Sequence, residues 1–183
     1  KKFPMRLLAS GPAGGVTGSR YLAETMDLDN ILVGDMGGTS FDTSLLKDRE
    51  IRLRNEVSVG PLKTGINVVD VVSVGAGGGS IAWLDERGVP RVGPRSAGSD
   101  PGPVCYGQGG EEPTVTDAMV AMGYIDPENY LGGRFRLDVD AARSALEQRL
   151  ADPMGVSLPE AADSVHDLVV TNMANALRRV SVE

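Results

Sequence analysis

Hydrophobic and polar positions change period several times along the chain, and each change marks an element. Ile31-Leu32-Val33-Gly34-Asp35 is a short apolar run that ends in an acid and then Gly37-Gly38. It predicts a buried strand feeding a tight turn. Phe41 to Leu46 predicts a second strand, and Lys47-Asp48-Arg49-Glu50 a polar turn. Ile51 to Val57 alternates with period two, as a half-exposed strand does. The result is an antiparallel hairpin series whose first turn carries the glycines. Residues 66–74 are rich in β-branched side chains, and periodicity leaves a strand and a short buried helix both open. Ile81-Ala82-Trp83-Leu84 predicts another strand, with a turn at Asp85 to Gly88.

Helical periods bracket this β-rich middle. Residues 10–25 predict a helix with Ser10 or Gly11 as its cap and Pro12 in its first turn. Gly14, Gly15, Gly18 and Ser19 weaken that helix but permit close backbone approach along one face. After residue 113 the chain reads as helical to its end. Thr114 to Met122 forms a short helix starting near Thr116 or Asp117, and Asp138 or Asp140 caps Ala141–Ala151. Ser157 and Pro159-Glu160 open a long final helix. Its apolar positions Ala162, Val165, Val169, Met173, Ala176 and Val180 recur at three- and four-residue steps. His166 falls at the edge of that stripe, where a structural histidine is expected. Between Gly88 and Pro113, 12 of 26 residues are Gly or Pro, yet Val92, Val104, Cys105 and Tyr106 can anchor the segment. An ordered loop is expected at about 88–113. The whole is an α/β chain: a mixed β-sheet with antiparallel hairpins, flanked by helices.

Composition narrows the function. Aromatic residues are 4% of the 183, so the core rests on Val, Leu, Ile, Ala and Met. Asp and Glu outnumber Lys and Arg by 25 to 18, a net charge of −7 without a basic block. Binding to a nucleic-acid backbone needs clustered Lys and Arg, so nucleic acid is excluded as the expected partner. No apolar run approaches the roughly 20 residues of a membrane span, and no secretory h-region is visible at the start. A single cysteine, Cys105, suits a reducing compartment, and a cytoplasmic protein is expected. A single histidine excludes a histidine-rich metal cage within these residues. The chain opens on Lys1-Lys2-Phe3-Pro4 and closes at Ser181-Val182-Glu183 inside a helical pattern. Residues 1–183 are therefore expected to be one domain-sized piece of a longer polypeptide.

The chemistry concentrates in Asp35-Met36-Gly37-Gly38-Thr39-Ser40-Phe41-Asp42. A strand delivers a carboxylate at its tip, and two glycines let backbone N–H groups approach an anion. Thr39 and Ser40 add hydroxyl donors. Asp35 cannot face phosphate directly, but it can hold Mg²⁺ through water or orient a nucleophile. Gly75 to Ser80 can form an anion nest or let two elements cross closely; Gly77, Gly78, Gly79 and Ser80 are its candidate residues. The Ser96–Gly107 loop, with Asp100, Cys105 and Tyr106, can line a substrate pocket or a partner interface. Cys105 has no nearby basic residue to activate it and reads as a buried small hydrophobe. Asp117 reads as a helix-start carboxylate.

The Asp-x-Gly-Gly-Thr-x-x-Asp hairpin resembles a phosphate-binding loop of the actin, sugar-kinase and heat-shock-chaperone ATPases. More closely, SGPAGGV, DMGGTSFD, VGAGGGSIAWLD, VGPRSAGSDPGPVCYG, PTVTDA and YLGG are similar, in that order, to the central region of the hydantoinase A / 5-oxoprolinase family. That family includes N-methylhydantoinases and the ATP-using subunits of acetone and acetophenone carboxylases. The resemblance runs from about Ser10 to Val182. It implies an actin-like (ribonuclease H-like) fold, with residues 1–183 as the second ATPase-type lobe. The first lobe of the same chain would supply the other phosphate hairpin.

It further implies ATP and Mg²⁺ as cofactors and a cyclic amide, such as a hydantoin or 5-oxoproline, as substrate. A partner subunit of the hydantoinase B type is implied as well. By this analogy Gly37, Gly38, Thr39 and Ser40 bind phosphate, Asp35 is the catalytic and Mg²⁺-side carboxylate, and Asp42 braces the hairpin. The isolated segment would be inactive. Two alternatives stay open: the ATP-using subunit of a ketone carboxylase, and a non-catalytic assembly module on the same scaffold.

Overall fold

The computed structural model describes residues 10–55, 57–59, 62–65 and 67–182. Contacts divide them into two compact units. One comprises the described residues up to Asp35, those of 42–73 and those from Asn175 on; the other comprises 36–41 and 74–174.

The first unit begins with helix α1 (Ser10–Met26). Its hydroxyls turn back onto the helix: Thr17 Oγ1 donates to Ala13 O at 2.8 Å and Ser19 Oγ to Gly15 O at 2.9 Å. Val16 and Ala23, two turns apart, are its buried contacts. Strands β1 (Ile31–Met36) and β2 (Phe41–Lys47) take the expected positions, with β3 (Glu50–Ile51) beyond a turn at Asp48 and Arg49; β1 is not the buried strand its apolar run predicts, since none of its residues is buried and Leu32 and Met36 are exposed. Asp48 and Arg49 both take positive φ, and Arg49 is anchored by Asp27 and Asp29. β2 is the central strand of a four-stranded sheet, paired with β1, β3 and β8 (Val72–Val74). Leu46 is fully buried on it, and so are Thr43 and Ser44. Both hydroxyls are satisfied, Thr43 by Val33 O at 2.7 Å and Ser44 by Asp70 O at 2.8 Å, which removes the cost of burying them.

The period-two run from Ile51 to Val57 does not form one strand. The chain changes partner at Arg52: Ile51 pairs Leu46 of β2, whereas β4 (Leu53–Arg54) pairs β7 (Val68–Val69). Alternation does not say which neighbour supplies the ladder, nor does it bury every apolar position here. Leu53, apolar in the pattern, is 56% exposed. A short hairpin, β5 (Val57–Val59) with β6 (Leu62–Thr64), follows β4. β7 and β8 settle the open reading of residues 66–74 in favour of strand over its described part.

The second unit is built on the antiparallel pair β9 (Ser80–Leu84) and β10 (Pro90–Ser96). β10 lies inside the segment expected to be loop. Its two prolines cannot donate to a ladder, and its register breaks between Val92 and Ser96. Gly93 sits at that break with φ +69°, and its carbonyl accepts from Trp83 Nε1 at 2.9 Å. An irregular strand of this kind leaves no clean period in the sequence. The rest of the Gly/Pro segment is ordered around a short 3₁₀ turn, Val104–Tyr106.

Helices complete the unit. α2 (Val115–Ala121) is capped by Thr114 rather than by Thr116 or Asp117, and Asp117 is the reciprocal partner of that capping box. α3 (Val139–Leu146), capped by Asp138, runs through a π turn (Glu147–Ala151) into α4 (Asp152–Met154). The wide turn lets Leu150 and Ala151, adjacent in sequence, both be buried alongside Leu146. α5 (Leu158–Val182), which belongs to this unit up to Ala174, starts after Ser157, whose hydroxyl donates to Glu160 Oε2 at 2.7 Å. Ala162, Val165, Val169 and Ala176 of its predicted stripe are buried. No helix among the described residues is long and apolar enough to cross a membrane.

Asp117 holds the Gly/Pro segment in place. Its side chain is fully buried and accepts from the backbone N–H of Val104 (3.2 Å), Cys105 (2.7 Å) and Thr114 (2.8 Å) and from the Thr114 hydroxyl (2.8 Å). Asp117→Ala in the full-length protein is expected to cost roughly 2–4 kcal/mol, because buried donors lose their acceptor. Hydrogen exchange at the Val104, Cys105 and Thr114 amides reads the loss directly, and wild-type protection there would contradict it.

Candidate functional site

Asp35 lies near the end of β1 in the first unit. It is exposed, and among the described residues its carboxylate has no hydrogen-bond or ion-pair partner. A Cβ built on Gly15 of α1 would stand 4.0 Å from Asp35 Oδ2, so the glycine face of that helix passes beside the carboxylate. At Gly11, Gly14 and Gly18 a Cβ would meet nothing within 4 Å among the described residues.

The turn at 37–40 belongs to the second unit. Gly37 N–H donates to Ser40 O at 2.9 Å and closes it. Gly37, Gly38 and Thr39 are exposed, and Ser40 is half-buried. Among the described residues, the N–H groups of Gly38 and Thr39 and the Thr39 hydroxyl have no partner. Neither glycine lies in the left-handed region, and a Cβ would meet nothing closer than Ser40 O at 3.6 Å from Gly37 and nothing at all from Gly38. Neither the bend nor its packing therefore demands glycine at 37 or 38.

Glycine is demanded on the other side of the turn. Gly78 N–H donates to Gly37 O at 3.0 Å, and Gly79 N–H to Gly38 O at 2.6 Å. A Cβ on Gly77 would fall 2.6 Å from Thr39 N and 2.7 Å from Gly37 O, contacts no side chain can make. Two backbones thus meet directly, which is the close-crossing reading of the Gly75–Ser80 run. Three more N–H groups of the run are engaged: Ala76 with Val74 O, Gly77 with Ser80 Oγ, and Ser80 with Gly77 O. Gly78 O accepts from both the N–H and the hydroxyl of Thr116, which ties the run to the start of α2. Thr116 entered the sequence reading only as a candidate cap, and nothing in its spacing announces this second contact.

Gly79 also faces the Gly/Pro segment. Its carbonyl accepts from Ala97 N–H at 2.8 Å, and a Cβ on it would stand 3.0 Å from Ser96 Oγ. Beyond these residues opens a cleft of about 910 Å³, within the range of small-molecule sites. Asp100, the acid singled out in the sequence, lines it. So does Arg149 on the π turn, which the sequence shows only as one more charged residue of a helix.

Residues 1–183 match the family described as Hydantoinase/oxoprolinase. The chain belongs to the hydantoinase/oxoprolinase family. It is 45% identical over 174 residues to the caprolactamase alpha subunit of Pseudomonas jessenii, covering 95% of this chain and 25% of that protein. It is 44% identical over 176 residues to the acetophenone carboxylase gamma subunit of Aromatoleum aromaticum, covering 95% and 24%. Its fold matches the nucleotide-free structure of acetone carboxylase with a TM-score of 0.85 at 38% identity, over 93% of this chain and 24% of that one. The chain thus spans about a quarter of the length of the relatives it matches.

Within this hydantoinase/oxoprolinase segment, Cys105 is fully buried and its own N–H is bonded to Asp117. Burial, and then the Asp117 charge, push its thiol far above the ordinary range, so no thiolate forms near neutral pH. Tyr106, whose hydroxyl pKa is raised by burial and by its 2.8 Å contact with the Tyr130 hydroxyl, packs against the buried cluster of Cys105, Val120, Leu137 and Ala142. His166 is half-buried with its ring 5.9 Å from that of Tyr124.

Two outcomes follow for the full-length protein. Cys105 is expected to resist alkylation by iodoacetamide at pH 8 until the protein unfolds; rapid native labelling, read by mass spectrometry, would contradict its placement. Gly77→Ala is expected to cost about 1–3 kcal/mol through overpacking against the turn. An unchanged thermal midpoint would show that the two backbones do not meet.

Proposed function

We propose that this chain is one lobe of an ATP-dependent enzyme that opens a cyclic amide, and that its 37–40 turn binds phosphate. The observation that carries the reading is the pair of glycines at 37 and 38. They are required neither by the conformation of the turn nor by its packing, and they keep its solvent side free of Cβ atoms. A surface of that kind suits a ligand that approaches the backbone itself. The N–H groups of Gly38 and Thr39 and the Thr39 hydroxyl supply donors of the sort phosphate oxygens take. Ser40 continues the turn into β2. Asp35, an exposed carboxylate two residues before the turn, offers the hard oxygen that Mg²⁺ prefers.

ATP would supply a phosphoryl group to the amide carbonyl oxygen, with ADP leaving, and Mg²⁺ would neutralise charge on the transferred group; the activated carbon then accepts water and the ring opens with release of phosphate. This chain's own residues position the phosphates and, through Asp35, orient water or hold the metal. An actin-like lobe earlier in the same polypeptide would complete the nucleotide site, and a hydantoinase B-type subunit would be its partner. The similarity to relatives named as subunits supports such an assembly.

A second reading has its own support. The acetophenone carboxylase gamma subunit is as similar to this chain as the caprolactamase alpha subunit is. Ketones and lactams both present a carbonyl oxygen to a phosphoryl donor, so one turn serves either.

In the full-length protein, Asp35→Ala is expected to lower substrate-dependent ADP release by on the order of 10²–10³-fold, leaving the thermal midpoint unchanged. Normal turnover in that variant would remove Asp35 from the chemistry. Absence of Mg²⁺-ATP binding at millimolar nucleotide, measured by calorimetry on the wild type, would favour a non-catalytic module.

A further inference from the structure

We infer that Thr116 is a positioning residue for the phosphate donors of the 37–40 turn, and that it acts on the Thr39 N–H through two peptide planes set end to end. The inference rests on the phosphate reading of that turn and names a residue, remote in sequence, that holds its donors in direction.

The path starts at Gly78. Its carbonyl accepts from the Thr116 N–H at 2.8 Å and from the Thr116 hydroxyl at 2.9 Å. A carbonyl oxygen has two lone pairs, and one residue takes both. Thr116 is 7% exposed, so the pair is shielded from water. Its N–H is one of the first-turn donors that α2 itself leaves unpaired. Gly78 also has a reason to be glycine: a Cβ on it would stand 2.9 Å from Thr116 Oγ1. The room a side chain would fill is the room the hydroxyl uses. Thr114 and Asp117 spend their side chains on the helix cap and on the Gly/Pro segment, so at this helix start it is the hydroxyl of Thr116 that reaches the glycine run.

Peptide geometry carries the constraint forward. The carbonyl of Gly78 and the N–H of Gly79 belong to one planar trans unit, so an oxygen fixed at one end fixes the direction of the N–H at the other. That N–H donates to Gly38 O at 2.6 Å. The carbonyl of Gly38 and the N–H of Thr39 form the next unit, and this N–H is one of the two bare donors of the turn. Two peptide planes thus connect a threonine hydroxyl on α2 to a proposed phosphate donor. The Gly37–Gly38 unit is held at one remove, since its carbonyl accepts from Gly78 N–H at 3.0 Å and its far end is the Gly38 N–H. Hydrogen bonds in such a series polarise one another in the same sense, which makes the bare N–H at its end a stronger donor than an isolated amide.

The test uses the full-length protein and the pair Thr116→Ser and Thr116→Ala, which differ from each other by one hydroxyl. Ser44→Ala is the control: it removes another buried hydroxyl bond, to Asp70 O in the first unit, without touching the turn. Calorimetry measures Mg²⁺-ATP affinity, and hydrogen exchange read by mass spectrometry measures protection of the 77–80 segment. Thr116→Ser is expected to bind within about twofold of wild type, and Thr116→Ala about fivefold or more weakly, the weight of one lost hydrogen bond. Exchange at 77–80 quickens in Thr116→Ala and not in Thr116→Ser. Ser44→Ala loses thermal stability but keeps both readouts at their wild-type values. Equal affinity of the two Thr116 variants would overturn the inference. An equal loss of affinity in Ser44→Ala would overturn it too, by marking the effect as one of stability alone. Failure of wild type to bind Mg²⁺-ATP would instead overturn the phosphate reading; the exchange comparison then decides by itself whether the hydroxyl holds the turn, and unchanged exchange in Thr116→Ala would overturn that as well.

Discussion

The candidate site depends on two backbone hydrogen bonds that no side chain takes part in. Gly78 and Gly79 donate to the carbonyls of Gly37 and Gly38, and this fixes the rear of the turn while its front stays exposed. Each bond alone contributes about 1 kcal/mol. Their effect is larger than that figure, because they set the direction of every remaining donor in the turn. A turn held only at its ends would reorient on binding a ligand, and that ordering would cost affinity. Held from behind by backbone, it presents Gly38 and Thr39 with little left to order.

The support continues inward in one hydrogen-bonded series. Gly78 accepts twice from Thr116, the first turn of α2 is capped by Thr114 and Asp117, and Asp117 gathers the amides of Val104 and Cys105. A buried carboxylate is costly unless its oxygens are matched with donors, and here four donors match them. Asp117 therefore acts on the site without approaching it. It fixes the Gly/Pro segment, whose wall at Ser96 and Ala97 then meets Gly79. Loop residues so rich in glycine and proline could adopt many conformations. What selects one is not their own propensity but an acceptor on a neighbouring helix.

This explains which features were legible in the sequence. β1, β2 and the turn between them follow from a local pattern: an apolar run, an acid, two glycines and a second run. The α5 stripe follows from its period. The capping box of α2 was nearly legible, since Thr114 and Asp117 stand three apart, yet Thr116 offered an equally good cap by type. What sequence cannot carry is partner identity. The switch of strand pairing at Arg52 leaves alternation intact, and β10 was hidden because its prolines and bulge erase the period. Gly77 illustrates the same limit at the site. Its residue type announces that something comes close, but whether that is an anion or another stretch of backbone depends on contacts forty residues away.

The two glycine pairs can be told apart on physical grounds, and that distinction separates scaffold from site. At Gly77 and Gly79 the space a Cβ would fill is already occupied by the protein, so those glycines are explained by the fold. At Gly37 and Gly38 it is open to solvent, and the backbone angles allow any residue. A glycine that costs conformational entropy without relieving any internal contact needs an external reason. A ligand that must reach the main chain would be such a reason, and the proposed phosphate, whose oxygens accept from bare N–H groups, fits it.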